Sequence, residues 1–156
     1  MTKLHTHFIF DVDGTLTPSR DKIDEQFAEW FQKFVTINTV CLVTGSDKLK
    51  TIEQIGQEIY DACMRVYNCS GNSRWVRDKE LYYSNWELPI DAKQWLNFKL
   101  EHSPFELRTG LHFEDRTGMC NFSVVGRNAN QEERKQYYYY DCKTKERDFC
   151  NYHTIW

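Results

Sequence analysis

The first part of the chain alternates short apolar runs with helical patterns. Residues 7–12 read His-Phe-Ile-Phe-Asp-Val and run into Asp-Gly, which is typical of a buried strand that enters a turn. Residues 21–34 carry apolar side chains at helical spacing: Ile23, Phe27, Trp30, Phe31 and Phe34. The pattern therefore predicts a strand followed by an amphipathic helix.

The same order repeats further along the chain. Residues 39–43 form a second apolar run, which closes in Thr-Gly-Ser-Asp. A helical pattern then places apolar residues three and four positions apart: Leu49, Ile52, Ile55 and Ile59. Residues 66–71 give a third strand and turn. A β-α-β-α-β order predicts an α/β fold with a parallel sheet, whose ligands bind at the carboxyl ends of the strands.

From about Trp86 the pattern changes to that of an α+β lobe with an antiparallel sheet. Its predicted elements are a helix over 89–102, strands over 107–113 and 119–125, and helices over 131–140 and 143–153. The length of 156 residues leaves room for two small lobes only. We therefore expect a core over 1–85 and a cap over 86–156.

Composition and charge exclude several classes of function. A formal net charge of -3 gives no global field for nucleic acid or for an anionic membrane, so any anion must be bound by locally placed Arg and Lys. No run approaches the ~20 apolar residues of a membrane span, and the first residues lack the apolar stretch of a signal peptide. The expected location is the cytoplasm, where the six cysteines stay reduced.

Two carboxylates mark the exit of the first strand. Asp11 and Asp13 stand two residues apart, and Gly14 lets the backbone turn tightly behind them. Asp11 is suited to attack phosphorus and Asp13 to exchange a proton with an alcohol, while Mg²⁺ on Asp11 and the Asp13 carbonyl would neutralise phosphoryl oxygens. For an isolated Asp-x-Asp-Gly the simpler interpretation is a turn with a capping Asp.

The whole motif, Asp-Val-Asp-Gly-Thr-Leu-Thr after an apolar strand, resembles the first motif of the haloacid-dehalogenase (HAD) superfamily. The second motif of that superfamily is a Thr or Ser after the next core strand, and Thr44 stands there. With Gly45 and Ser46 it offers a hydroxyl and backbone N–H groups to phosphate oxygens. An ordinary helix N-cap at Ser46 or Asp47 is compatible with this role. The resemblance implies a Rossmann-like core, whose parallel sheet is incomplete here, and Mg²⁺ as cofactor.

Within the superfamily, residues 13–23 (Asp-Gly-Thr-Leu-Thr-Pro-Ser-Arg-Asp-Lys-Ile) resemble the eukaryotic-type phosphomannomutases. There an Arg at the position of Arg20 touches the sugar phosphate. Residues 113–121, 123–127 and 131–134 resemble the substrate-binding cap of the same family. The resemblance implies interconversion of mannose 6-phosphate and mannose 1-phosphate through an aspartyl phosphate and a hexose bisphosphate, in the supply of GDP-mannose. It also implies a homodimer formed through the cap.

Three arginines in the cap fit this resemblance chemically. A guanidinium binds phosphate through paired hydrogen bonds, so Arg116 and Arg127 on neighbouring strands and Arg134 on the next helix are suited to clasp a phosphate away from Asp11. Each of them taken alone is more simply a solvated surface charge. Together they are suited to form the second phosphate-binding site that a mutase requires.

Part of the superfamily pattern has no counterpart. We find neither the downstream Lys nor the Gly-Asp-x-x-x-Asp that completes the magnesium site, and the resemblance covers only part of the family's usual length. The chain is then a fragment, a naturally short protein, or a relic without activity. Two alternatives to the mutase stay open: a sugar-phosphate phosphatase, and an inactive module for sugar-phosphate binding or dimerisation.

Overall fold

The computed structural model describes residues 6–148. The chain divides into two compact units. The first comprises Met1–Glu87 and Arg116–Met119, and the second comprises Leu88–Asp115 and Cys120–Trp156. The assignment of 1–85 and 86–156 as separate domains stays a prediction.

The first unit holds a five-stranded sheet and three helices. The strands are β1 (His7–Asp11), β2 (Thr39–Val43), β3 (Arg65–Asn68), β4 (Ser73–Val76) and β5 (Lys79–Tyr83), in the spatial order β1-β2-β3-β4-β5. The helices are α1 (Glu25–Ile37), α2 (Lys48–Ile55) and α3 (Gln57–Ala62). The first three strands are parallel, and β4 and β5 extend the sheet antiparallel from β3. The predicted α/β fold is thus confirmed, with a mixed sheet that is parallel over its first three strands.

Aromatic packing under β1 explains why its alternating pattern forms a strand. Phe8 and Phe10 belong to the core face and meet Phe31 and Phe34 of α1 edge to face, with ring centroids 5.0 to 6.1 Å apart. Ile9, one position along, is 68% exposed. Because β1, β2 and β3 lie side by side in chain order, right-handed crossovers place α1, α2 and α3 on the same face of the sheet.

The register of the parallel strands sets the position of the motifs. Asp11, the last residue of β1, pairs with Val43, the last residue of β2. The segments that follow the two strands therefore begin at the same end of the sheet, at the carboxyl ends of the strands. One of these segments carries Asp13 and the other carries Thr44.

The helices of the first unit differ in detail from the prediction. Helix α1 begins at Glu25, not at Asp21, because Asp24 is its N-cap and accepts a hydrogen bond from the Phe27 N–H (2.9 Å). The apolar pattern over 49–59 is split into α2 and α3 by Gly56, whose φ of 84° no helix interior accommodates.

The second unit contributes helices α4 (Ile90–His102) and α5 (Gln131–Thr144). A two-stranded antiparallel sheet consists of β6 (Phe113–Arg116) and β7 (Met119–Phe122), and its turn belongs to the first unit. The predicted strand over 107–113 is wrong, and the one over 119–125 is too long. Backbone pairing persists there, from Thr109 N–H to Val125 O (2.8 Å), but Gly110 and Gly126 at positive φ interrupt the ladder.

The predicted helix over 131–140 is confirmed as the first part of α5. Helix α5 is continuous to Thr144 and ends because Lys145 adopts a left-handed conformation, with φ of 58°. A 3-10 turn at Glu146–Asp148 follows, and the rest of the predicted helix over 143–153 lies outside the described residues. Over residues 6–148 no helix combines the length and the apolar character that crossing a bilayer requires.

Candidate active site

A tight turn presents the two carboxylates after β1. The carbonyl of Val12, a fully buried residue, accepts hydrogen bonds from the N–H groups of Leu16 and Thr17 (both 3.0 Å). Gly14 sits at φ of 78°, a conformation that costs glycine little. In the described part of the chain no hydrogen bond or ion pair engages the Asp11 carboxylate, which is exposed. A solvent-accessible carboxylate without a partner is available as a nucleophile or as a metal ligand.

Asp13, by contrast, is half-buried and held. Its Oδ1 accepts hydrogen bonds from the backbone N–H of Arg20 (2.7 Å) and from Nε2 of Gln54 (2.9 Å). Its Oδ2 is 3.4 Å from the hydroxyl of Ser46. The two carboxylates of the motif therefore have different environments, which suits them to different chemical roles.

The loop after β2 lies next to Asp13. Thr44 is 2% exposed, and its Oγ1 accepts a hydrogen bond from the Ser46 N–H (3.1 Å). Asp47 is the N-cap of α2 and accepts from the Lys50 N–H (2.8 Å), which leaves the Ser46 hydroxyl for its contact with Asp13. Ser46 thus joins the two segments that the sequence predicts to form one site, while Gly45 is exposed between Thr44 and Ser46.

A buried polar network fixes this loop from behind. Asn68, fully buried at the end of β3, donates from Nδ2 to the Ser46 carbonyl (3.1 Å) and to Oγ1 of Thr51 (2.8 Å). The Tyr60 hydroxyl donates to Oδ1 of Asn68 (2.9 Å). Burial, reinforced by the charge of Asp61, raises the pKa of Tyr60, so the hydroxyl stays a donor. The loop is consequently held by side chains as well as by its own backbone.

Gln54 is the residue of the site that the sequence did not single out. It lies on α2, is 2% exposed, and reaches Asp13 across 41 positions of sequence. A glutamine within an amphipathic helix carries no motif that would identify it. The apolar pattern gives no signal either, because at helical spacing Gln54 falls on the side opposite Leu49, Ile52 and Ile55 and is expected to be exposed.

Arg20 lies in the turn that follows the first motif. Its φ is 64°, which is uncommon for a residue with a side chain, and its backbone N–H donates to Asp13. The backbone of Arg20, a predicted substrate-binding residue, is thus hydrogen-bonded to the turn that carries the predicted catalytic residues.

The structure does not bring the three cap arginines into one unit. Arg116, at the end of β6, belongs to the first unit, where its Nη1 donates to the carbonyl of Gly45 (2.5 Å). The predicted position of Arg127 on a strand is wrong, because β7 ends at Phe122 and Arg127 lies in the turn after Gly126. Arg134 lies on α5, as predicted.

Arg127 and Arg134 form a connected pair in the second unit. Arg134 donates from Nε to the Ala129 carbonyl (2.8 Å) and from Nη2 to the Arg127 carbonyl (3.1 Å). Arg127 forms an ion pair with Glu114, and its Nε is buried without an acceptor within residues 6–148. A buried guanidinium N–H without a partner is costly and marks a position that an anion could satisfy.

The acidic residues meet the requirements of Mg²⁺ only in part. The Asp11 carboxylate and the Asp13 carbonyl are hard oxygen donors of the kind that Mg²⁺ prefers. Among the described residues no group of three His, Cys, Asp or Glu side chains is arranged around one point. A magnesium ion here would be bound by these two oxygens and completed by water and phosphate, which is common for this ion.

Comparison with known proteins gives the family. The family model described as eukaryotic phosphomannomutase matches residues 27–151. A phosphomannomutase from Saccharomyces cerevisiae is 34% identical over 145 residues, which cover 89% of this chain and 57% of that protein. One from Arabidopsis thaliana is 32% identical over 143 residues, which cover 85% of this chain and 56% of that protein. The chain thus spans little more than half the length of these curated relatives.

Solved structures show weaker likenesses. A trehalose-6-phosphate phosphatase from Aspergillus fumigatus has 16% identity and a TM-score of 0.43, covering 88% of this chain and 53% of that one. A haloacid dehalogenase-like hydrolase from Bacteroides thetaiotaomicron has 16% identity and a TM-score of 0.43, covering 63% and 38%. These values are too low to bear on function. On the family model and the curated relatives, this chain belongs to the eukaryotic phosphomannomutase family.

Proposed function

We propose that this chain is a phosphotransferase of the phosphomannomutase type, which interconverts mannose 6-phosphate and mannose 1-phosphate. The observation that supports this most is the difference between the two carboxylates. Asp11 is exposed and has no partner among residues 6–148, whereas Asp13 is held by two donors on one oxygen. Asp11 ends the strand that pairs in parallel with β2, and Asp13 follows it beside the loop that contains Thr44 and Ser46.

Asp11 is the nucleophile in this proposal and Asp13 the acid and base. A carboxylate oxygen of Asp11 attacks phosphorus, the bond from phosphorus to the departing sugar oxygen breaks, and Asp13 gives that oxygen a proton. In the second half-reaction a sugar hydroxyl gives its proton to Asp13 and attacks the aspartyl phosphate, which frees Asp11. No oxidant or other co-reactant takes part.

The remaining residues of the site bind phosphate. The hydroxyl of Thr44 and the backbone N–H groups of Gly45 and Ser46, in the loop before α2, contact oxygens of the transferred phosphoryl group. The Ser46 N–H gives up its hydrogen bond to Thr44 Oγ1 for this contact. Arg20 contacts the sugar phosphate. Mg²⁺ bound by Asp11 and the Asp13 carbonyl supplies neutralisation of the phosphoryl oxygens.

Arg127 and Arg134 of the second unit bind the phosphate that is not being transferred, and Arg116 of the first unit, next to Gly45, makes a separate contact with the substrate. These guanidinium groups match the oxygens of a phosphate dianion. The buried Nε–H of Arg127 has no acceptor within residues 6–148, so it is available to donate to a phosphate oxygen. Glu114 competes for Arg127, so the bound anion must displace or share that contact. A hexose bisphosphate is the activator, the product enters GDP-mannose synthesis in the cytoplasm, and the second unit forms a homodimer.

Phosphorus NMR of the purified 156-residue chain tests the proposal. The sample contains Mg²⁺, mannose 1-phosphate and a catalytic amount of glucose 1,6-bisphosphate. We expect the mannose 6-phosphate signal to grow, Asp11→Asn to abolish this growth, and Asp91→Asn, a change at an exposed residue of α4, to leave it unaltered. Turnover that survives Asp11→Asn would contradict the assignment of the nucleophile.

A sugar-phosphate phosphatase is the second candidate, and the exposure of Asp11 favours it. Water that reaches the aspartyl phosphate would hydrolyse it before a sugar hydroxyl attacks. In the same NMR experiment a phosphatase releases inorganic phosphate and forms no mannose 6-phosphate. The two signals therefore separate the candidates directly.

A further inference from the structure

The side chain of Gln54 is enclosed by the catalytic turn and the segment that follows it. Besides Asp13 Oδ1 at 2.9 Å, its Nε2 lies 3.3 Å from Oγ1 of Thr17 and 3.4 Å from the carbonyl of Asp21. The backbone carbonyl of Gln54 accepts a hydrogen bond from the Ile23 N–H (2.8 Å). The residue is therefore fixed at its backbone and at the end of its side chain.

The carbonyl oxygen of the same amide has no donor in the part of the chain that the structure describes. Oε1 of Gln54 is buried and accepts no hydrogen bond from any residue over 6–148. A buried amide oxygen without a donor is unfavourable, and an apolar side chain of similar volume, such as Met, would avoid that penalty. The packing of α2 alone therefore does not explain why this position is a glutamine. The hydrogen bond from its Nε2 to Asp13 does explain it.

The two carboxylate oxygens of Asp13 have different hydrogen-bond partners. Oδ1 accepts two hydrogen bonds, from Arg20 N–H and from Gln54, whereas the only contact of Oδ2 with a described residue is the long one to the Ser46 hydroxyl. We infer that Gln54 is a positioning residue that, with the Arg20 backbone, occupies Oδ1 and leaves Oδ2 to carry the proton in catalysis. This inference rests on the proposed function.

The position of Asp13 affects the reaction of phosphoesters whose leaving group needs a proton, and not of those whose leaving group needs none. A sugar oxygen leaves only when it receives a proton, whereas 4-nitrophenolate is stable enough to leave without one. Loss of Gln54 should therefore slow aspartyl phosphate formation from mannose 1-phosphate and spare its formation from 4-nitrophenyl phosphate. A general defect in folding or phosphate binding would slow both reactions alike.

Single-turnover kinetics of Gln54→Met in the full chain test this difference. We expect the rate constant for phosphorylation by mannose 1-phosphate to fall about 10–100-fold, and that for 4-nitrophenyl phosphate to change less than about threefold. Gln57→Met is the matched control, because Gln57 also donates to a carboxylate (Asp61, 2.9 Å) but is exposed on α3. It should leave both rate constants unchanged.

A double variant and the two substrates separate the outcomes. In the Asp13→Asn background, Gln54→Met should have little further effect on mannose 1-phosphate, because the group that it positions is already lost. Equal losses on both substrates, or full additivity with Asp13→Asn, would overturn the role of Gln54 alone. Failure of the unaltered chain to be phosphorylated by either ester would instead overturn the proposed function, and the role of Gln54 with it.

Discussion

At the scale of single residues, the site depends on buried polar side chains that sequence motifs do not reveal. Asp11, Asp13 and Thr44 stand in recognisable motifs, and the structure brings the segments that carry them together through Ser46. Gln54 and Asn68 stand in none, because their function arises from contacts across 41 and 22 positions of sequence. Only the folded chain shows which polar residues of a helix or strand reach the loops.

Removal of the Tyr60 hydroxyl should destabilise the protein. Tyr60→Phe keeps the fully buried ring but leaves Oδ1 of Asn68 without its donor. We expect a loss of about 1–3 kcal/mol in the free energy of unfolding, measured by urea denaturation. Tyr82→Phe, at a tyrosine that is 44% exposed on β5, is the control and should change stability little. A similar effect of both variants would contradict the role of the network.

At the scale of elements, strong apolar periodicity predicted the structure well and weak patterning did not. Strands β1 and β2 match their predicted ranges closely, because β2 buries the centre of its apolar run and β1 packs Phe8 and Phe10 against α1. The hairpin of β4 and β5 was not predicted. Every residue of β5 is exposed, so its sequence lacks the alternation of apolar and polar residues that would predict a strand. Arg77, with φ of 52°, occupies the turn, where a glycine or asparagine would have indicated a hairpin.

Gly126 should be the most sensitive glycine of the second unit. It has φ of 95°, and a Cβ built on it would lie 1.8 Å from the carbonyl oxygen of Thr109, which is backbone and cannot move aside. Gly126→Ala should therefore cost about 3 kcal/mol or more and disturb the turn that carries Arg127, as measured by thermal unfolding.

Gly56→Ala provides the matched comparison for that variant. Gly56 has φ of 84°, but nothing lies within 4 Å of its Cβ position, so its cost should be limited to backbone strain of about 1–2 kcal/mol. If Gly56→Ala proved as damaging as Gly126→Ala, steric conflict with Thr109 would not be the cause.

At the scale of the whole molecule, the sheet of the first unit has an open side. Within the described residues β1 pairs only with β2, so its other edge presents unpaired backbone groups, and Ile9 beside them is 68% exposed. Exposed strand edges with apolar side chains favour association between chains. We therefore expect this chain to self-associate as its concentration rises.

Ile9→Lys should reduce that association, because a charged side chain at a strand edge opposes further pairing. Sedimentation velocity over a range of concentrations measures the effect. Leu49→Lys is the control, since Leu49 is 80% exposed on α2, away from the strand edge, and its replacement should leave association unchanged. An equal decrease with both variants would indicate a general effect of charge and would contradict association at β1.

The most direct test of the account is to locate the phosphoryl group on the protein. The chain is mixed with Mg²⁺ and glucose 1,6-bisphosphate, quenched rapidly and reduced with borohydride, which converts an aspartyl phosphate to homoserine. We predict homoserine at position 11 by peptide mass spectrometry, and none at position 13. Homoserine at another aspartate, or turnover of mannose 1-phosphate without modification of Asp11, would contradict the mechanism.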